Sequence, residues 1–206
     1  MIVSFSLIRR RDDISPEGFR SHWLDPHGPM TALIPGTRRY VQNHVLDEPG
    51  TSAVARSMRL DGFAQLSFDT PASRVTAHRS PELAACNEDS RLFIGAVSRV
   101  ITDDGDAAPS ASETGSKQIL LTTRDAPASA SLQTLLERLD HRVLIQQRVL
   151  KQGAAPNSSV PHHGIEVDTI HEIWVDSAEA VARNAAILAR AAPHLASFQL
   201  RTHFFI

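Results

Sequence analysis

The sequence is short of several things at once. It holds one cysteine, Cys86, which excludes an internal disulfide framework and any multi-cysteine metal site. Next to Ala84 and Ala85, Cys86 reads as a small buried filler. Aromatic residues make up only 5 %, with one tyrosine and two tryptophans. Neither sign of charge dominates: 21 Lys and Arg face 23 Asp and Glu, for a net charge of −2. With no basic excess to neutralise a run of phosphates, a dedicated nucleic-acid binder is excluded. No apolar run approaches the roughly 20 residues that a membrane-spanning helix needs. Met1 to Arg11 carries its charge after its apolar stretch, the reverse of a signal peptide. Glycine-rich phosphate loops and a serine-nucleophile elbow are absent as well. The expectation is a cytoplasmic protein with no nucleic-acid and no membrane partner.

What is present is a unit written twice. Asp103 to Lys117 has no large apolar side chain and cannot bury enough surface to offset its ordering entropy. It reads as a flexible linker, 103–117, between halves 1–102 and 118–206. In the first half the apolar periodicity predicts strands at 2–9, 38–46, 61–68 and 96–102. Helices are predicted at 16–25, resuming toward 34, and at 72–93, interrupted at Ser80-Pro81. The second half repeats this order: strands at 118–123, 143–150, 167–175 and 197–206, helices at 130–139 and 178–192. Phe63 to Thr70 aligns with Ile170 to Ser177, and both end on an acid followed by a hydroxyl residue suited to capping the next helix. β-α-β-β-α-β twice is the ferredoxin-like order. One such sheet leaves an apolar face bare. The fold expected is therefore α+β, with two ferredoxin-like halves packed sheet to sheet as a pseudo-dimeric α+β barrel. The pairing is intramolecular, and a further homo-dimer stays open.

The densest pattern lies at 15–44. Ser15-Pro16-Glu17 is a helix start, and Phe19, His22 and Trp23 share one helical face. Pro26 predicts a kink or a stop, after which Gly28 frees the backbone and His27 is presented on a broken-helix shoulder. On an α-helix His22 and His27 would lie about 140° apart. His171-Glu172 lacks the second histidine of a zinc-protease motif. His162-His163 lies in a loop. No spacing matches a metal site, and no metal is expected.

Phe19 to Trp23, then His27-Gly28-Pro29, then Pro35 to His44 resembles the signature of the EthD domain family, within the dimeric α+β barrel superfamily. The resemblance covers about residues 1–102. The second half lacks the His-Trp and His-Gly-Pro segments, although Glu172 to Asp176 resembles the family's third-strand pattern. The resemblance implies enzymes without cofactors: isomerases, cyclases, dehydratases or decarboxylases acting on small aromatic, lactone or carbonyl compounds. In these a histidine or tyrosine in a small cavity moves protons. Imidazole titrates near neutral pH, which suits His27 and then His22 as acid or base. Each can equally satisfy a helix end or fill a core edge.

Tyr40, Gln42 and His44 alternate on one strand face. Val41 and Val45 suit a helix-covered face, which turns Tyr40, Gln42 and His44 toward the cavity. Tyr40, Asn43, His44 and Trp23 are then candidate substrate contacts, joined by Glu172 and Trp174 from the second half. A buried Glu172 would serve as an acid, or as a hydrogen bond between halves. Three function classes stay open: a cofactor-independent enzyme on a small molecule, a non-catalytic binding or scaffold protein, and a haem-binding or monooxygenase-type barrel.

Overall fold

The alternating apolar segments fold into eight strands: β1 (Ile2–Arg10), β2 (Thr37–Leu46), β3 (Gly62–Phe68), β4 (Ile94–Asp103), β5 (Ser116–Thr122), β6 (Val143–Gly153), β7 (Thr169–Val175) and β8 (Ala196–Phe204). The helices are α1 (Pro16–His22), α2 (Gly28–Ala32), α3 (Ala53–Ser57), α4 (Pro71–Ala77), α5 (Pro81–Phe93), α6 (Ala130–Glu137) and α7 (Ala178–Ala191). The structure is a computed structural model and describes every residue except 49, 104–114, 124–129, 155–157 and 159. The expected linker falls outside the described residues at 104–114. Its ends are ordered strand: Asp103 closes β4, while Ser116 and Lys117 open β5.

The strands close into one antiparallel barrel, in the order β1-β3-β2-β8-β5-β7-β6-β4. The order β4-β1-β3-β2 in the first half recurs as β8-β5-β7-β6 in the second. The halves are not merely laid face to face, as the sequence suggested. Their edges are hydrogen-bonded, with Val41–Leu46 of β2 against β8 and Arg99–Thr102 of β4 against β6. Closure removes the exposed edges that two open sheets would present.

Side-chain parity then sorts the core into three. Val3, Phe5, Leu7, Phe63, Val100, Ile119, Ile170 and Phe198 fill the barrel. Ile8, Phe19, Trp23, Tyr40, Leu66, Phe93 and Val97 pack between the first-half sheet and its helices. Leu120, Leu136, Ile173, Val181 and Leu188 do so in the second half. Serine and threonine hydroxyls start the helices as read: Ser15, Thr70, Ser80 and Ser177 each cap one. The short α3, capped by Ser52, was not legible, because five residues carry too little periodicity.

The barrel centre is polar. Lys117 Nζ donates to Glu172 (2.5 Å), Asn43 Oδ1 (2.9 Å) and Gln65 Oε1 (2.9 Å). The other Glu172 oxygen accepts from Gln65 (2.7 Å) and Gln147 (2.5 Å). Trp174 lies beside it, with the ammonium 4.9 Å from its ring. Lysine and glutamate are both buried, and burial pulls the Lys117 pKa down while Glu172 pulls it back up.

Two outcomes follow from this centre. Lys117→Met leaves a buried carboxylate unpaired and should cost about 3–5 kcal/mol in urea unfolding; combining it with Glu172→Gln should cost less than the single change. Residues 1–102 alone would expose both seams and the barrel face, so size exclusion and melting should show no well-folded monomer. A cooperatively unfolding monomeric fragment contradicts this account.

Candidate functional site

The helical path does not stop at Pro26 but changes type around it. Between α1 and α2, Trp23–His27 forms one π turn with Pro26 inside it. The wider turn takes the proline ring, which an α-turn would press against a preceding carbonyl. Bonding from i to i+5 also changes which residues align. His22 and His27, far apart on an α-helix, here reach the same carboxylate, Asp89 of α5. His22 Nε2 is 3.1 Å from Asp89 Oδ1, and His27 Nδ1 is 2.8 Å from Oδ2. The sequence expectation that these histidines occupy different faces is thus corrected.

His27 is buried, and its ring packs on Phe93 at 5.0 Å. Burial lowers its pKa below the ordinary value more strongly than Asp89 raises it. At neutral pH His27 is therefore uncharged, with Nδ1–H donated to Asp89 and a lone pair left on Nε2. His27 lines an internal space of about 60 Å³ with Trp23, Thr31, Tyr40, Leu66 and Arg99. Tyr40 accepts from Gln42 Nε2 (2.7 Å), and burial keeps its phenol protonated far above its usual range.

The second half supplies walls. Ser158 and Val160 line the same space from the loop after β6. That loop is pinned to β4 by Val97 N–H on Pro161 O (2.9 Å) and His163 N–H on Val97 O (3.1 Å). Phe205, past the end of β8, stacks on Tyr40 at 4.9 Å. It sits so close that a Cβ on Gly28 would fall 2.2 Å from its ring, which explains the glycine of the His-Gly-Pro segment.

Several expected contacts lie elsewhere. Parity on β2 is the reverse of that expected in one respect: Tyr40, Gln42 and His44 do share a face, but it is the helix-covered one, and the cavity lies under those helices. His44 sits behind Trp23, stacked at 4.5 Å and bonded to Gln42 Oε1 (2.9 Å), away from the cavity lining. Burial and neighbouring cations push its pKa down to about 3. Asn43, Glu172 and Trp174 belong to the barrel centre, on the opposite face of the sheet. Tyr40, Trp23 and His27 are brought together, and His22 stands behind them on Asp89. Asp89 itself was missed. Its signal is an acid on the buried stripe of a helix, three residues after Cys86 and four before Phe93, both buried.

A larger cleft of about 280 Å³ opens at one barrel end between Arg9, Arg10, Arg20, Arg56 and Arg59. Asp12, Asp47 and Asp61 already pair with four of these arginines. The smaller space holds the oriented histidine. Among the described residues no group of three or more His, Cys, Asp or Glu side chains is placed to hold a metal ion.

Residues 11–96 match the family model of the EthD domain. No curated protein matches the chain by sequence. Among solved structures, an anthrone oxidase-like protein superposes with a TM-score of 0.60 at 10 % identity, over 98 % of this chain and 92 % of that one. A monooxygenase-like protein of Fusobacterium nucleatum gives 0.57 at 5 % identity, over 98 % and 93 %. An ethyl tert-butyl ether D family protein of Bacillus halodurans gives 0.42 at 21 % identity, over 50 % of this chain and 99 % of that one. The first two share the α+β barrel architecture along almost the whole chain.

Histidine NMR checks the site. His27 should carry its proton on Nδ1 at pH 7 and titrate below 6.5, and Asp89→Asn should lower that midpoint further by removing the charge that raises it. Burial also holds His44, His78 and His171 neutral, at about 3, 4 and 4. The unfolded chain therefore binds protons that the folded one refuses, and the urea midpoint should fall as pH drops from 6.5 toward 4. A His27 midpoint above 6.5 contradicts the assignment.

Proposed function

We propose, from the match of residues 11–96 to the EthD domain model, that the chain is a cofactor-independent enzyme that moves a proton on a small aromatic, lactone or carbonyl compound. We read the two halves as ferredoxin-like units fused in one chain, the first carrying the site and the second closing it. The observation that carries this reading is the His27–Asp89 hydrogen bond at 2.8 Å, at the wall of a cavity shared with Tyr40.

The roles follow from the donor inventory. Asp89 accepts Nδ1–H and so fixes the tautomer, leaving Nε2 to take a proton from a carbon beside a carbonyl. The imidazolium that forms is stabilised by the Asp89 carboxylate at hydrogen-bond distance. Tyr40, held as a neutral phenol and already accepting from Gln42, has its own O–H to donate to the oxygen on which charge develops. Returning the proton to another atom completes an isomerisation. If instead a hydroxyl β to the carbonyl departs, taking the proton that His27 accepted and leaving as water, the same groups serve a dehydratase; in a decarboxylase carbon dioxide leaves the substrate carboxylate first and the carbanion that remains takes a proton from an acid. His22 is a positioning residue, holding Asp89 from the other side. The narrow space favours substrates of few heavy atoms. Likeness to monooxygenase-like chains at 5 % identity supports the architecture and none of the chemistry.

Proton exchange tests the proposal without a known product. Short keto acids and lactones incubated with the protein in D2O should lose C–H signal faster than the background rate. His27→Gln should slow this by about 10²-fold or more. Tyr40→Phe should slow it with little change in melting. The rate should rise with pH through the His27 midpoint and level off above it, because the base must be neutral. Exchange that survives His27→Gln overturns the assignment.

A further inference from the structure

Several arginines elsewhere on the first half are matched by acids. Arg9, Arg10, Arg38, Arg59 and Arg91 each lie within 3.2 Å of a carboxylate. Arg74 and Arg99 have no such partner among the described residues. Arg99 projects from β4 on the helix-covered face and lines the His27 cavity. Directly across from it on β1 is Ser6, another lining residue. Arg74 lies on α4, and His78, four residues later, caps that helix and shares its face.

Each of the three contributes a buried nitrogen with no hydrogen-bond partner: Arg74 Nε, His78 Nδ1 and Arg99 Nε. Ser4 Oγ, two residues before Ser6 on the same face of β1, is a fourth buried polar atom without a partner. Of these four residues Arg99 lines the cavity, and Arg74 and His78 lie close enough to Arg99 to interact with it; buried polar groups are nearly always satisfied, so orphans clustered beside that lining call for a ligand. The electrostatics agree. Burial and Arg74 lower the Arg99 pKa to about 10, and burial with both arginines lowers His78 to about 4. No acid offsets either. Two cations that repel one another in a partly dry setting, with a neutral imidazole beside them, are what an anion needs.

We propose that Arg99 and Arg74, with His78 beside them, form the anion-binding end of the His27 cavity, and that the molecule turned over there is a small carboxylate. Its carboxylate lies on the guanidinium groups while its reacting carbon faces Nε2 of His27. The substrate part rests on the reading of His27 as the base, but the anion site does not. Binding energy at the charged end orients the carbon skeleton toward His27, which is the use enzymes make of a remote charged group.

The test compares 2-oxobutyrate with butanone, its uncharged counterpart, by thermal melting and amide chemical shifts. 2-Oxobutyrate should raise the melting temperature and shift amides at residues 74–78 and 97–99; butanone at equal concentration should do neither. Arg99→Gln and Arg74→Gln should each weaken 2-oxobutyrate by about tenfold or more, the loss of one charge-assisted hydrogen bond. Without ligand, both variants should melt no lower than the parent, since the charge removed was unpaired; this separates lost binding from lost folding. His27→Gln should keep the binding. Equal affinity for the ketone, shifts mapping to the Arg9–Arg59 cleft, or undiminished affinity in both arginine variants overturns the proposal. Binding as expected with no effect of His27→Gln on proton exchange overturns only the base assignment.

Discussion

Everything in the fold is registered on one dry ion pair. Burying an ammonium and a carboxylate costs several kcal/mol each, and only a complete set of partners offsets that cost. Lys117 has three donors and finds three acceptors, at 2.5 to 2.9 Å. Asn43 and Gln65 come from the first half; Lys117, Gln147 and Glu172 come from the second. The set exists only when the barrel is closed in one register. A slip of one residue at the β2·β8 seam would swing Asn43 out and His44 in, leaving the ammonium short of an acceptor. That same seam carries Phe205 onto Tyr40, and the β4·β6 seam lays the Val160 loop over the cavity. The site is completed by the second half because the polar centre dictates how the halves meet.

Within that frame a single widened turn decides where the two histidines meet. An α-turn would send His22 and His27 to different sides. The π turn sends both to Asp89, and the buried ring of Phe93 packs on each, at 4.7 Å and 5.0 Å. One carboxylate bonded to two imidazoles is held from two sides, so its orientation toward Nδ1 of His27 does not depend on a single contact. The low-dielectric setting then keeps His27 neutral, which is the state a base requires. Proline, usually a helix breaker, is here compatible with the one helical geometry that makes the dyad.

The sequence exposed the architecture well and the site in part, for physical reasons that differ residue by residue. Alternation and caps located all eight strands and the long helices, because burial of one face imposes a period that survives in the residues. The motif drew attention to His27 and Tyr40, and the structure sets both on the wall of one cavity. The face of β2 was not legible, since both faces of that strand are buried: Val41 and Val45 look into the barrel, and Tyr40 and His44 under the helices, so apolarity could not say which side held the cavity. Lys117 was assigned to the linker because its burial depends on Glu172, a partner far along the chain that local composition cannot reveal. The relation of His22 to His27 was lost to the assumption of 3.6 residues per turn.

The two halves share a strand order but not a site, and the difference isolates what the site requires. Alignment sets His171 where the first half has Ala64, a cavity-lining residue. His171 is buried and neutral, with neither ring nitrogen bonded. Among the described residues no carboxylate bonds it, so neither tautomer is favoured. A buried histidine on the equivalent strand is therefore not enough. Among its described residues the second half shows no counterpart of the 16–32 segment with its π turn, and the facing α7 buries Ala180, Val181, Asn184 and Leu188 but no acid. The first half leaves a space between helix and sheet, and Arg99 borders it. Leucines 120, 136 and 188 fill the corresponding layer in the second half. The strands provide a wall in both copies; the role proposed for His27 depends on helices that do not pack all the way down onto that wall.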